Sequence, residues 1–312
     1  GRVLFPFSCH PSRPEKRQTP NAMSDKTAAG VAKIRHIETL APENLRIIDD
    51  PYAEYFYLGS SVVWLMGHSA CVWLSDMMVP GAHEMLIART RFIDDLVRKE
   101  VEQGVRQVVV LGAGYDMRGA RLGLGDAGVK VFEVDQPAVQ SRKKEKVATI
   151  PNLSNPVHFV PVDFSCQRVN EELAGHAPGY DPKAKTLIIL EGVSQYIPGD
   201  AVATTVKAMD SICGPGSSFF LSYVDERINR EPEKLGNPQA VQRIMAMAGS
   251  VGEPWINFYS QSAIPGFFES CSSFRVVSDV STDDISRTSF PAARQLPAKK
   301  LMTAERYAVA RK

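Results

Sequence analysis

Residues 105–137 restrict the fold of this chain more than any other part of the sequence. An uninterrupted apolar run at 108–111 leads into a Gly-Ala-Gly turn at 112–114, and a second apolar run at 129–134 is followed by Asp135. Such a run is typical of a parallel strand buried on both faces, and glycine permits a tight turn that a ligand can approach closely. The order strand, glycine turn, helix, strand and acid predicts the nucleotide-binding half of a Rossmann-like sheet.

The residues after the glycine turn indicate which nucleotide is bound. Met117 occupies the place of the third glycine in the dinucleotide fingerprint, and Asp116 puts a carboxylate where a pyrophosphate would meet the helix N-terminus. Asp135 lies 21 positions after Gly114, as does the acid that accepts hydrogen bonds from a ribose. A ribose-bearing cofactor without phosphates, such as S-adenosylmethionine, fits best; a nicotinamide-dependent oxidoreductase is the alternative that these residues oppose.

The composition of the 312 residues is that of an ordinary globular protein. The chain is 44% hydrophobic and 23% charged, with a net charge of +1, so it can form one large domain or two small ones. The near-neutral charge argues against a dedicated nucleic-acid partner. Apolar runs fall short of the roughly 18 residues that a membrane span needs, and we predict no membrane partner.

The cysteine and histidine spacings predict neither disulfides nor a metal site. Five cysteines are scattered without a CxxC pair, which suggests reduced thiols and a cytoplasmic protein. The six histidines lack HxxxH and HExxH spacing, so we predict no metal.

The sequence before the first strand predicts an arm and a helical N-terminal cap. Residues 1–22 are basic, rich in proline and without periodicity, so we expect a flexible arm or leader. Helical segments are predicted at 28–58 and 62–79, the second forming a lid packed on the core. A long helix from about 83 to Gly104 follows. The residues expected to pack within the lid are Trp64, Met66, Trp73, Leu74 and Met77.

The remaining sequence alternates between apolar runs of strand length and polar, helical ones. We predict strands at 107–111, 129–134, 157–162, 185–190, 217–223, 273–280 and 305–310. Helices are predicted near 116–123, 137–149, 166–175, 200–212, 226–249 and 260–271, with loops at 179–185 and 237–254. The alternation predicts an α/β fold with a doubly wound, mostly parallel, seven-stranded sheet that ends in an antiparallel pair. Residues 23–312 are expected to form one domain, with a cap at 23–104, a core at 105–312 and inserted substrate-lid helices near 226–270.

Three predicted strands end in an acid. Asp135, Asp163 and Glu191 follow successive strands, whose carboxyl ends form the ligand crevice of an open α/β sheet. Neighbouring carboxylates repel one another unless a cationic or donor-rich ligand lies among them. S-adenosylmethionine offers a sulfonium, an ammonium and hydroxyl groups, and Arg89 is a candidate partner for its carboxylate. Arg89 as a surface charge and Glu191 as a helix N-terminal acid remain the simpler alternatives.

Five short motifs resemble those of the leucine carboxyl methyltransferase family, which includes polyketide-type O-methyltransferases. In order, they are Arg89 in IARTRFID, Gly112 in LGAGYD, Asp135 in FEVDQP, Asp163 in VPVDF and Glu191 in LEGVSQYI. The resemblance covers roughly residues 45–312 and implies a class I S-adenosylmethionine-dependent methyltransferase. The short segment at 136–157, which separates two strands, resembles the small-molecule branch more than the phosphatase-directed one.

The resemblance also implies roles for individual residues. By motif position, Arg89 binds the methionine carboxylate, Gly112 the methionine moiety, Asp135 the ribose, Asp163 the adenine amine and Glu191 the methionine amino group. The predicted cofactor-binding set further includes Ala113, Gly114, Gln136 and Phe164. Tyr223, in FFLSYVDE, matches a family tyrosine on the acceptor side.

The acceptor is predicted from the chemistry of methyl transfer. A carboxylate is already anionic at neutral pH, whereas a hydroxyl would need a general base. The motifs offer no evident base, so we expect carboxyl O-methylation of a small, polyketide-like molecule, with Tyr196 and Tyr223 orienting the acceptor. The alternatives are a methyltransferase for a protein C-terminal leucine and a non-catalytic, cofactor-binding scaffold. The protein is expected to be a monomer or a homodimer.

Overall fold

The computed structural model describes residues 21–153, 157–163, 167–250 and 252–312. Within them lies one seven-stranded sheet with the order β3-β2-β1-β4-β5-β7-β6. Its strands are Gln107–Leu111 (β1), Lys130–Asp135 (β2), Val157–Pro161 (β3), Thr186–Leu190 (β4), Ser218–Val224 (β5), Arg275–Ser281 (β6) and Glu305–Arg311 (β7). β7 runs antiparallel between β5 and β6, and the other neighbours are parallel. The predicted α/β class, strand number and antiparallel end are confirmed.

Ten α-helices are assigned in the described residues. They are Asn21–Thr39 (α1), Ser60–Met78 (α2), Ala82–Glu102 (α3), Arg118–Arg121 (α4), Pro137–Val147 (α5), Val169–His176 (α6), Gly199–Asp210 (α7), Pro238–Ser250 (α8), Ile264–Cys271 (α9) and Thr282–Ser289 (α10). Short 3₁₀ turns connect several of them. The segment predicted as an arm at 1–22 lies outside the described residues up to position 20, and α1 begins at Asn21.

The two faces of the sheet carry separate hydrophobic clusters. Val109 and Leu111 of β1 pack on one face with β5 and α9, whereas Val108 and Val110 pack on the other with α3. Alternate side chains of a strand point to opposite faces. The apolar run is therefore continuous because β1 is covered on both sides, as predicted.

After β5, the predicted helix over 226–249 is confirmed in its second half, where α8 lies, but its start and the predicted loop at 237–254 are wrong. A helix over 226–249 is replaced at its start by 3₁₀ turns at Glu226–Asn229 and Pro232–Leu235, because proline lacks the N–H that continues a helix. The predicted loop at 237–254 instead contains α8. The helix α10 was missed because its sequence is almost entirely polar; a capping box between Ser281 and Asp284 starts it.

The N-terminal helices form a cap whose first member covers the glycine turn. Ala32 of α1 packs in one cluster with Tyr115 and Met117, and a Cβ atom on Gly114 would lie 3.3 Å from the Cβ of Ala28. The predicted end of the long helix is confirmed, since α3 stops just before Gly104, which has a φ of +94°.

The expectation that the second cap helix packs its large apolar side chains on the core is wrong. Trp64, Trp73 and Met77 of α2 are 69%, 64% and 57% exposed. Among the described residues of α2, Val63 and Cys71 alone are buried. No single helix in the described ranges is both long and apolar enough to cross a membrane, although α2 and α3 pass that test as a pair bent by 115°.

Candidate active site

The glycine turn after β1 is shaped by two residues with positive φ. Gly112 and Gly114 have φ of +69° and +46°, a region that other residues rarely adopt. A Cβ atom on Gly112 would also lie 2.5 Å from Cγ2 of Val193, which follows β4. The amides of Gly112 and Ala113 both donate to the carbonyl of Val134 in β2. The turn is thus held tightly against both strands that flank β1.

Asp135, at the end of β2, is held by backbone amides. Its Oδ2 accepts from the N–H of Gly114 at 2.6 Å, and its Oδ1 accepts from the N–H of Gln136 at 2.7 Å. Burial raises the pKa of this carboxyl group, while the two amides lower it. A carboxylate offers about four lone-pair sites, so both oxygens keep capacity to accept from two ligand hydroxyls.

Asp116 is a buried ion-pair partner and not the isolated carboxylate that the sequence suggested. Arg118 pairs with both of its oxygens through its amide and its guanidinium, and Lys143 donates to its carbonyl. Burial favours the protonated acid, but Arg118 and Lys143 hold its pKa below the ordinary value. The argument that Asp116 repels a phosphate is therefore wrong, because its charge is already compensated.

The crevice at the carboxyl ends of the strands has two halves. The glycine turn and Asp135 form one half, and Arg89 of α3 lies in the other, next to the end of β4. Its Nε donates to Oε1 of Glu191 at 2.8 Å, and its Nη1 donates to both carboxylate oxygens of Glu305 at 2.9 Å. Gly192, with a φ of +63°, places its backbone so that a Cβ atom would lie 3.5 Å from Nη2 of Arg89. The backbone here can approach the guanidinium closely because residue 192 is glycine.

A second arginine joins the two halves. Arg118 donates through Nε to Asp94 at 2.9 Å and through Nη2 to Glu191 at 3.2 Å, in addition to its bonds with Asp116. Arg121 also donates to Asp94. Arg118, Arg121 and Asp94 are almost completely buried, and Glu191 is partly exposed. The glycine turn, α3 and the end of β4 are therefore joined by one network of charged side chains.

Asp163, another predicted cofactor residue, lies just after β3. Asp163 is exposed, and its N–H donates to Oε1 of Gln167 at 2.7 Å. Phe164 lies outside the described residues. Asp163 thus follows the third strand as predicted, at the same edge of the sheet as Asp135 and Glu191.

The two tyrosines predicted to orient an acceptor occupy different settings. Tyr196 ends the 3₁₀ turn Ser194–Tyr196 directly after β4; burial raises the pKa of its hydroxyl, and Trp255 opposes that shift. Tyr223 is fully buried in β5, where its hydroxyl donates to Asp279 at 2.6 Å and accepts from Arg306. The hydroxyl of Tyr223 is therefore already engaged, which leaves Tyr196 as the better placed of the two.

Sequence reasoning missed several residues that build the site. Glu305, Arg118, Gly192 and Lys143 were not singled out. The sequence contains an indication of the role of Glu305, because this residue is an acid at the start of a largely apolar final strand. An antiparallel strand begins at the edge where its parallel neighbours end, and Glu305 pairs in register with Val224 at the end of β5.

A further cluster lies under the cap, where Glu38 meets His68 and His83 with Nε2 to Oε2 distances of 3.4 and 3.0 Å. This donor set resembles a metal site that histidine spacing could not reveal. However, Arg294 donates to both oxygens of Glu38, and the N–H of Ile47 donates to Oε1. The carboxylate lone pairs are already used, so we interpret the cluster as a hydrogen-bonded anchor of the cap.

The sequence comparisons with known proteins all match methyltransferases. A family model described as leucine carboxyl methyltransferase matches residues 28–210. A candidate S-adenosyl-L-methionine-dependent methyltransferase from Mycolicibacterium smegmatis is 34% identical over 66% of this chain and 68% of its own. A similarly described protein from Mycobacterium bovis is 32% identical over 70% of this chain and 73% of its own.

Two solved structures share the fold. A candidate methyltransferase from Thermobifida fusca aligns with a TM-score of 0.56 at 20% identity, covering 84% of this chain and 92% of its own. A DUF574 family protein from Streptomyces avermitilis aligns with a TM-score of 0.60 at 15% identity, covering 93% and 99%. At these identities the likeness concerns the fold alone.

Proposed function

Because the chain belongs to the leucine carboxyl methyltransferase family and is an S-adenosylmethionine-dependent methyltransferase, we propose that it methylates a carboxylate oxygen of a small, apolar acceptor. The observation that carries this proposal is the composition of the crevice. Near the end of β4, the guanidinium of Arg89 is paired with the carboxylates of Glu191 and Glu305, and Tyr196 lies beside them as a neutral hydroxyl.

The residues of the crevice fit S-adenosylmethionine. Asp135 is partly buried and keeps acceptor capacity for the ribose hydroxyls, and the N–H groups of Gly114 and Gln136 fix the position of its carboxylate. Glu191 supplies a carboxylate for the amino group, and Arg89 a guanidinium for the carboxylate. When bound, the cofactor supplies an electrophilic methyl group.

The chain's own residues would orient the acceptor and exclude water. Aligning the acceptor oxygen is the main requirement of an in-line displacement, and a carboxylate acceptor needs no proton removed. His158 in β3 stacks on Phe132 with ring centroids 5.0 Å apart, a packing role that does not suit a general base. The hydroxyl of Tyr196 can donate to the acceptor carboxylate while Trp255 interacts with it.

The proposal is tested by supplying S-adenosylmethionine with a labelled methyl group together with apolar carboxylic acids and the matching alcohols. We expect label in the acids only, as methyl esters that release methanol in alkali. Label in the alcohols, or in nitrogen atoms of added amines, would contradict the proposed acceptor atom while leaving the methyltransferase assignment intact.

The two tyrosines provide a matched pair of variants. Tyr196→Phe should lower kcat by roughly 10-fold or more through loss of one hydrogen bond to the acceptor. Tyr223→Phe should change kcat little, since its hydroxyl is bonded to Asp279. A larger kcat effect at Tyr223 would reverse the roles that we assign.

A further inference from the structure

The segment Ser60–Met78 (α2) consists of two helical pieces joined at Gly67, where the backbone is not helical (φ +71°, ψ 174°). It is apolar along most of its length and yet lies at the surface. We define the α2 face as the nine large apolar residues Leu58, Val62, Trp64, Leu65, Met66, Trp73, Leu74, Met77 and Met78. Leu58 and Leu65 are 99% and 81% exposed, and each of the nine is at least 40% exposed. A helix that is hydrophobic all round is normally buried, so this surface calls for a partner.

The size of the α2 face fits a protein contact. With 150–250 Å² for a whole aromatic side chain and somewhat less for an aliphatic one, the exposed fractions amount to roughly 1,000 Å² of apolar surface. The largest apolar patch on a monomer is typically about 300–600 Å². A stable interface buries about 800 Å² on each partner, so most of the nine side chains must contact the partner to reach this area.

The charge of the α2 face indicates which partner fits. Residues 60–75 contain no Lys, Arg, Asp or Glu, and the next acid, Asp76, accepts a hydrogen bond from the N–H of Gly81. A helix that lies on a membrane surface carries Lys and Arg on a polar face, which α2 lacks. A bent insertion of α2 with α3 is also disfavoured, because α3 packs in the core through Ile87, Ile93 and other buried residues.

We propose that the α2 face is the contact between two copies of this chain, packed helix against helix about a twofold axis. An uncharged apolar surface is complementary to itself, as an interface between identical copies requires. Helix α1 packs against α2 and also covers Gly114. The contact between the two copies would therefore stabilise α1, the helix that covers the glycine turn of the crevice.

The test is the mass of the whole chain in solution, measured by sedimentation velocity between 1 and 100 µM, a range of about 100-fold chosen around micromolar affinity. We expect twice the mass of one chain. A double variant, Trp64→Glu with Trp73→Glu, should sediment as a monomer. Val277→Glu is the matched control, because Val277 is 59% exposed on β6 and should leave the dimer intact.

Folding is checked by circular dichroism, and Leu65→Glu alone serves if the double variant does not fold. A monomeric parent chain, or dissociation by Val277→Glu, would overturn the proposal. So would a monomer that sediments with phosphatidylcholine vesicles, which would assign the face to lipid. A dimer that forms only after residues 1–20 are deleted would assign it to that segment of the same chain.

Discussion

The two halves of the crevice are built by different means. On the glycine-turn side, Asp135 is held by the amides of Gly114 and Gln136, groups that lie close along the chain or on adjacent strands. On the other side, Arg89 is held by Glu191 and Glu305, which are 102 and 216 positions away. One half is a local motif, and the other exists only when distant elements have packed.

Because the two halves are built differently, substitutions in them should affect cofactor affinity and fold stability to different extents. Backbone amides remain in place when a side chain near them is replaced, so a change of Asp135 should act mainly on cofactor affinity. Buried guanidinium–carboxylate pairs leave an uncompensated charge when one partner is lost. Changes on the Arg89 side should therefore also act on the stability of the fold.

The largest effect is expected for Arg118→Met. It removes the guanidinium shared by Asp94, Asp116 and Glu191 and should lower the free energy of unfolding by about 3–5 kcal/mol. Urea denaturation measures this loss. The matched control is Arg98→Met, since Arg98 is half exposed and pairs with Asp95; it should cost less than about 1 kcal/mol. Equal losses in the two variants would show that the buried network contributes no more to stability than an exposed ion pair.

The free energy of unfolding should depend on pH through Glu133, which lies in β2 two residues before Asp135. Burial raises the pKa of Glu133 to about 7 from its ordinary 4.5; Lys143, 2.5 Å away, opposes this shift. The folded protein then binds the proton more tightly than the unfolded chain. This contribution to stability is complete below pH 4.5 and is lost as the pH rises through about 7.

In the parent protein, the free energy of unfolding should fall by about 2–3 kcal/mol between pH 5 and 8 because of Glu133. The variant Glu133→Gln should remove this decrease. Thermal or urea unfolding at several pH values measures the slope. Glu145→Gln, at an exposed position of α5, should keep the slope of the parent protein. An unchanged slope in Glu133→Gln would show that Lys143 keeps Glu133 ionised in the folded protein.

Asp135→Ala should weaken binding of S-adenosylhomocysteine by about 1–3 kcal/mol without a comparable loss of stability, because two ribose hydroxyls lose a charged acceptor. Calorimetric titration gives the affinity, and urea denaturation gives the stability. Asp163→Ala is the comparison, and its smaller effect should vanish with a ligand that lacks the adenine amine. Parent-like affinity in both variants would mean that the assigned cofactor residues are wrong.

The smallest effect that still distinguishes the two halves is expected for Arg89→Lys. Lysine restores the charge but not the planar arrangement of donors, so cofactor affinity should fall by about 1 kcal/mol, with some loss of stability because Glu305 loses a partner. Arg91→Ala is the control, since Arg91 pairs with Asp95. Equal, small effects of both substitutions on affinity would place Arg89 outside the site.

The sequence was sufficient for the parts of the site that depend on local order. Each strand of the sheet, the glycine turn and the position of Asp135 follow from apolar runs, glycines and spacing within about 30 residues. Glu305 and Arg118 could not be assigned in this way, because their role depends on which strand lies beside which and on the packing of α3. Helix periodicity likewise could not show that Trp64 and Trp73 face solvent, since the same pattern serves a core and an interface.

The position of β7 in the sheet limits the order in which the strands can pair during folding. β7 lies between β5 and β6, and it carries Glu305 to Arg89. The sheet edge formed by β5 must therefore stay unpaired until Glu305–Arg311 has been synthesised, and the charge of Arg89 is incompletely matched until then. Contacts of such long sequence separation form slowly. The half of the crevice that contains Arg89 is thus completed late, and a ligand that depends on this half cannot assist the earlier steps of folding.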